Sequence, residues 1–149
     1  MVPIAKTEGK MKSLYWKLHL KSPPDKVFDL LTSDQGREKF WAEKSVANEN
    51  KFELTFPNGE TTEVFVVEEK NHTFEFIYFR TIVIISLVGD EDNGTDLVLN
   101  NKNIPADDYD MMASGWVSVL MALKAAADYD IDLRNHDSSR TWDEGYVDN

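Results

Sequence analysis

Three histidines, His19, His72 and His136, are the first residues to weigh for metal or acid–base chemistry, since imidazole is a common metal ligand and titrates unaided near neutrality. They fall on a strand-like segment, a turn and a polar tail. None stands in an H-x-x-x-H or H-E-x-x-H spacing that would put two ligands on one helical face. Neither a resident metal nor another cofactor is expected, and His19, between Leu18 and Leu20, is expected on the solvent side of its strand. Asp128-Tyr129-Asp130-Ile131-Asp132 imitates the opening of a calcium loop. Leu133, however, occupies the sixth position, where glycine must turn the chain, and Ser139 the twelfth, where a bidentate Glu is required. Asp128 and Asp132 are read instead as residues on the solvent side of a helix, with Arg134 as basic neighbour.

Nucleophilic chemistry lacks its parts: the chain has no Cys, no G-x-S-x-G, and no Ser–His–acid order that stands out. Glu63 and Glu75 would work as a general acid–base pair only if burial raised their pKa values, and the alternation around Glu75 gives the inner face to Phe74 and Phe76. Gly115-Trp116 is no phosphate cradle, which needs several glycines before a helix; Gly115 is expected to let a neighbouring strand approach. No catalytic residue is singled out, and binding is expected rather than catalysis.

Composition narrows the partners. The chain has 149 residues with 27 Asp+Glu against 16 Lys+Arg, a formal net charge of -11. A polyanion would be repelled, so nucleic acid is not expected. With 42% apolar and 11% aromatic residues there is material for one well-packed domain. The N-terminal MVPIAKTEGKMK has no apolar h-region, and the longest uncharged apolar run, Ile82 to Val88, falls far short of the ~20 residues of a membrane span. A cytoplasmic protein without a membrane span is the expectation.

The elements that must position these residues follow from periodicity. LYWKLHL, residues 14–20, alternates as a half-buried strand. Ser22-Pro23-Pro24-Asp25 then opens a helix carrying Val27, Phe28, Leu30 and Leu31, and a second short helix runs through Phe40-Trp41. A meander of strands follows over 51–56, 61–67, 73–80, 82–88 and 95–100, with Asn58-Gly59 read as a type I′ turn. A long helix is predicted from about Asp107 to Leu133, with Tyr109, Met112, Trp116, Leu120, Leu123 and Ala127 on its apolar side. About six antiparallel strands, two short helices after the first strand and a long terminal helix make an α+β fold in which a curved sheet wraps that helix.

In this order, SPPDKVFDLLTS after the first strand and GWVSVLMALKAAADYDIDLRN at the end resemble the helix-grip fold. More narrowly, they resemble the family named for activators of the heat-shock-protein-90 ATPase, within the START and Bet v 1-like (SRPBCC) superfamily. The resemblance covers roughly residues 12–134. It rests on the proline-led helix with Val27 and Leu30, on Trp41, on Gly115-Trp116, and on Leu120 and Leu123. Where relatives commonly carry glycines before the second strand, this chain has Ala47-Asn48-Glu49-Asn50. The resemblance implies an apolar cavity between sheet and terminal helix, used in the superfamily for lipids, sterols and polyketides, with enzymes a minority.

A bent sheet gripping a helix at a distance must leave or fill a gap, and gaps of ~300–1,000 Å³ are where small ligands bind. The expected wall residues are Met111, Met112 and Trp116 from the helix and Phe74, Phe76 and Tyr78 from one face of a strand, with Arg80 as an anion anchor. The leading expectation is a carrier or sensor of a small apolar ligand of lipid or aromatic type, acting as a monomer or weak dimer. The alternatives are a co-chaperone-like module contacting a chaperone, or a cyclase- or hydrolase-like enzyme of the same fold. Residues 1–149 are expected to form a single domain, with 1–11 flexible and 12–133 as core. The tail 134–149 should fold back on the body through Trp142 and Tyr146, with Arg134 and Arg140 meeting carboxylates.

Overall fold

The computed structural model describes residues 11–149. The expected flexible N-terminus lies outside the described residues except for Met11, which already pairs with Pro105. Strand β1 (Met11–Leu20) leads into helices α1 (Pro24–Thr32) and α2 (Asp34–Arg37). Six further strands follow: β2 (Lys44–Asn48), β3 (Lys51–Thr55), β4 (Thr61–Lys70), β5 (Thr73–Tyr78), β6 (Thr81–Gly89) and β7 (Thr95–Pro105), before the terminal helix α3 (Tyr109–Tyr129). All neighbours pair antiparallel in one open sheet of order β1-β7-β6-β5-β4-β3-β2. This is the helix-grip architecture, with seven strands rather than six. The additional one is β2, whose single buried position is Ser45, so it shows no apolar alternation.

The turns depart from the sequence reading in an instructive way. Asn58-Gly59 is not a type I′ turn: only Gly59 has positive φ (90°), and Phe56 N–H donates to Glu60 across a longer loop with Pro57 near its start. The geometry with positive φ at both central residues instead occurs at Asn71-His72 (54° and 60°) and at Phe79-Arg80 (48° and 65°). The strand expected to reach Arg80 therefore stops at Tyr78, which pairs with Thr81 across the turn. The segment 47–50 closes as a tight hairpin in which Glu49, not a glycine, holds φ 60°.

Two helix ends also differ. Helix α2 stops at Arg37 because the buried guanidinium turns inward to Ser45 Oγ, the Leu31 carbonyl and Asp34, and lies 3.7 Å over the Phe52 ring. Trp41 thus sits on the turn beyond it. Helix α3 stops at Tyr129, where Asp130 takes a left-handed conformation (φ 54°).

Asp128, expected to face solvent, has a side chain with 0% exposure. Its carboxylate accepts the backbone N–H groups of Lys21 (2.9 Å) and Ser22 (3.0 Å) and the Ser22 hydroxyl (2.8 Å), tying the end of α3 to the β1–α1 connection. Lys26 Nζ donates to the Ala127 carbonyl, which the Ser22 hydroxyl also approaches at 2.8 Å, satisfying an acceptor that the helix end leaves open. Burial alone would raise the Asp128 carboxyl. The N–H and hydroxyl donors, with Lys124 3.6 Å away, outweigh it and hold the group below the usual carboxylate range. With the folded value depressed, this stabilisation is present above the unfolded pKa of about 3.9 and is lost as pH falls through the folded value. Asp128→Ala is expected to cost about 2–3 kcal/mol at neutral pH, read as a lower urea midpoint with unchanged slope. The gap to the parent protein should narrow as pH drops below about 4. A gap that stays constant down to acid pH would show that the buried carboxylate is not what matters.

Candidate functional site

The concave face of the sheet sends Phe74, Phe76 and Tyr78 of β5 inward, as alternation requires. Opposite them, the first three turns of α3 present Met112 and Trp116. Trp41, on the turn after α2, enters this space from the side and touches five rings: Phe40, Phe52, Phe76, Tyr78 and Trp116, with centroids between 5.6 and 6.0 Å. Such packing fixes each ring against several others.

Behind the rings lies a satisfied polar chain. Trp116 Nε1 donates to Asn101 Oδ1 (3.0 Å), Asn101 Nδ2 donates to Thr81 Oγ1 (2.8 Å) and to the Ile82 carbonyl (3.0 Å), and Thr81 Oγ1 donates to the Tyr78 carbonyl (2.6 Å). Asn101 and Thr81 are buried, so each of these bonds replaces one that water would have made.

In front of the rings a cleft of about 770 Å³ opens between the N-terminal half of α3, the Phe79-Arg80 turn and the β3–β4 loop. Of the wall residues expected from sequence, Met111, Met112, Trp116 and Tyr78 line it. Met111 stands half-exposed at its mouth. Phe74 and Phe76 do not line it; they are fully buried, 4.7 Å apart, in solid core. Trp41, which contacts Phe76 and itself lines the cleft, takes their place on the wall. Arg80 is exposed in its turn and contributes nothing to the lining, while its neighbour Phe79 does, held at φ 48°. A bulky residue in that left-handed region costs about 1–2 kcal/mol, a strain stored at the rim.

Gly115 also faces the cleft rather than a strand. A Cβ placed there would come no closer than 3.9 Å to a neighbouring atom, and that atom belongs to Trp142. The residues missed from sequence include Trp41, Trp142, Phe79, Phe56 and Val119. Trp142 carried a signal, an indole in an otherwise polar tail.

The tail 134–149 supplies the far wall of the cleft through Thr141, Trp142 and Val147. Arg134 is buried and donates to the carbonyls of Ala42 (2.8 Å) and Glu38 (2.6 Å). The carboxylates that Arg134 and Arg140 meet, Asp132 and Asp137, belong to the tail and its approach rather than to the body. Trp142 is half-buried, whereas Tyr146 and Val147 remain exposed.

His136 spans the junction, one ring nitrogen against Glu43 and the other 2.8 Å from Asp132. His72 meets Asp25 at 2.7 Å, and exposed His19 meets Asp96 at 3.0 Å. Among the described residues no three His, Asp or Glu side chains are grouped to hold a metal.

Burial would lower the His136 pKa, but the Asp132 and Glu43 carboxylates raise it above the ordinary imidazole value. Asp132, for its part, is desolvated yet drawn down to about 2 by Arg134 and His136.

Comparison with known proteins places this geometry among relatives. Residues 21–128 match the family described as Activator of Hsp90 ATPase homolog 1-like protein. Among curated proteins no sequence match is found. Solved structures with the same fold include a protein from Staphylococcus saprophyticus, 19% identical with TM-score 0.71 over 83% of this chain and 96% of that one. The Aha1 dimer from Colwellia psychrerythraea is 20% identical with TM-score 0.71 over 79% and 97%. A conserved protein of unknown function from Enterococcus faecalis is 13% identical with TM-score 0.71 over 81% and 74%.

Two expectations test the site. Asn101→Leu leaves the Trp116 indole N–H without its acceptor, while the Thr81 hydroxyl keeps its bond to the Tyr78 carbonyl and loses only the incoming Asn101 donor. The change should cost about 1–3 kcal/mol. Trp116→Phe in the same chain should recover part of that loss, and strict additivity of the two changes would rule out the coupling. For the tail, a raised folded-state pKa means that the His136 contribution is full below the unfolded value of about 6.5 and fades as pH rises through the folded one. Protection of the amides in residues 134–147, taken relative to their intrinsic base-catalysed exchange, should fall between pH 6 and 8, and His136→Gln should flatten that fall. An unchanged dependence in the variant would discount His136 as the clasp.

Proposed function

The chain belongs to the Activator of Hsp90 ATPase homolog 1-like family, and from that premise we propose that it binds a small apolar ligand in the cleft between sheet and terminal helix. On this reading residues 12–133 form the body of one domain and the tail 134–149 closes over it. The observation that carries the proposal is the hydroxyl of Tyr78. Tyr78 lines the cleft, and its hydroxyl accepts the Trp41 indole N–H at 3.4 Å while making no bond as a donor among the described residues. Burial pushes its pKa up to about 12, with the Trp41 bond opposing only in part, so it is a neutral donor at physiological pH. A buried hydroxyl with an unspent proton at the foot of an apolar cleft suits a ligand with an apolar body and one acceptor oxygen.

Gly115 supports the same reading. A mid-helix glycine costs roughly 0.5–1 kcal/mol relative to alanine, and here the side chain it lacks would occupy the cleft rather than clash with a neighbour. Stability is forgone where space is kept.

A second reading, contact with a chaperone, follows from the family and is favoured by the net charge of -11, which would steer the protein to a basic patch with salt-sensitive affinity. Recovery of no chaperone at low salt would remove it. An enzyme of the same fold stands as a third, to be judged by substrate turnover that disappears when Tyr78 is altered.

Nile red, a neutral dye with a carbonyl acceptor, is expected to bind with one-to-one stoichiometry. Tyr78→Phe should weaken it about three- to tenfold, the worth of one hydrogen bond. Gly115→Leu, which fills the cleft, should abolish binding while the protein stays folded. Dye that binds Gly115→Leu as tightly as the parent protein would place it elsewhere and defeat the proposal.

A further inference from the structure

The cleft has a charge pattern its apolar floor does not require. Three of the four tryptophans of the chain, Trp41, Trp116 and Trp142, line it together with the rings of Tyr78 and Phe79. Around them stand three carboxylates, Glu60 from the β3–β4 loop, Asp108 at the start of α3 and Asp143 from the tail, and no Lys, Arg or His contributes to the lining.

Elsewhere some acids are matched, while other exposed ones, such as Glu53 and Glu91, stand without an ion pair among the described residues. Asp34 pairs with Arg37, Glu63 with Lys51, Asp132 with Arg134 and His136, and Asp137 with Arg140. Among the described residues no ion pair involves Glu60, Asp108 or Asp143.

Two of the three are nevertheless drawn together. The Asn58 side-chain amide donates to Glu60 Oε1 at 3.0 Å and to Asp143 Oδ1 at 3.4 Å, so a neutral group bridges two like charges from distant parts of the chain. The Thr141 hydroxyl also donates to Asp143. These donors, led by Thr141, hold the Asp143 carboxyl below the ordinary range, so it stays ionised beside Glu60. Both carboxylates are exposed, so their mutual repulsion is screened, and a cation between them gains attraction from each.

Aromatic faces supply the second half of the recognition. Indole rings attract organic cations through their quadrupole, most strongly where water is excluded. An inorganic ion would gain nothing from such a floor, and an anion would meet the acidic rim. Tyr78, only 8% exposed, lines this same cleft, and its hydroxyl accepts from Trp41 without donating in turn.

We infer that the ligand is an organic cation, an apolar ammonium compound whose charged head sits among Glu60, Asp108 and Asp143 and whose body lies against Trp41, Trp116 and Trp142. This rests on the cleft being the ligand site. Because Trp142 and Asp143 belong to the tail, such a ligand also fastens the tail to the body.

Three probes of one skeleton decide the matter: phenylbutyltrimethylammonium, phenylbutanol and phenylbutyrate, each competed against Nile red on the full chain at low and moderate salt. The ammonium compound is expected to displace the dye at about tenfold lower concentration than the alcohol, and the carboxylate to be weakest. Glu60→Gln and Asp143→Asn should each weaken the ammonium compound about two- to fivefold and leave the alcohol unchanged. Glu91→Gln, which removes the same charge from the exposed β6–β7 turn, should change neither. Equal displacement by ammonium and alcohol would overturn the inference while leaving the ligand cleft intact. So would a preference lost equally in Glu91→Gln, since that marks attraction to the acidic protein as a whole. If Nile red itself fails to bind, the cleft reading falls, and this one with it.

Discussion

One buried amide sets the relation between helix and sheet. Asn101 lies on the inward face of β7 between positions that are otherwise leucine and isoleucine, and a polar group there is tolerable only if every bond it can make is made. Its oxygen takes the Trp116 indole N–H and its nitrogen reaches Thr81 and the Ile82 carbonyl. A helix free to roll on leucines has many near-equal positions; one that must present an indole N–H to a fixed oxygen has few. With the Trp116 ring set, Trp41 has a surface to pack on 5.8 Å away, and Tyr78 sits 5.4 Å from Trp116. The floor of the cleft is therefore a consequence of a hydrogen bond behind it.

The other boundary of the cleft comes from the chain beyond α3. The helix ends early at Asp130, and the extended segment that follows places Arg134 under the turn carrying Ala42. Arg134 satisfies backbone carbonyls there, which a leucine of similar reach would leave bare. The arginine thus serves at once as a backbone partner and as the ion-pair partner of Asp132. Trp142 then lies half-buried across from Gly115. Body and tail meet across space that neither fills.

Much of the fold is legible in the sequence because burial is periodic. Residues 73–78 and 81–87 alternate strictly, and the stripe Met112, Trp116, Leu120, Leu123 and Ala127 is the buried side of α3. Strand β2 was hidden because its one inward residue is Ser45, bonded to Arg37 and Asp34, so polarity stands where alternation needs an apolar residue. The turns were misplaced because tertiary pairing forces Phe79, Arg80 and His72 into left-handed backbone that local preference gives to glycine and asparagine. The helix end was overrun because Ile131 and Leu133 extend the apolar spacing although both are exposed. At the site, helix spacing located Met112 and Trp116. Strand parity could not tell the core rings Phe74 and Phe76 from Tyr78, since which inward residue reaches empty space depends on where Trp41 comes to rest.

The cluster of indoles has an optical meaning as well. Trp41 and Trp116 lie with centroids 5.8 Å apart and planes inclined at 52°, close enough and skewed enough for their electronic transitions to couple. Coupled transitions of this kind rotate polarised light in the near ultraviolet with a sign and amplitude set by the angle between the rings. Those two rings and Trp142 border the same cleft, leaving Trp16 as the only tryptophan outside it. The absorption and emission of the folded protein thus come mainly from the cleft, and the molecule carries its own chromophore for reporting the state of that region.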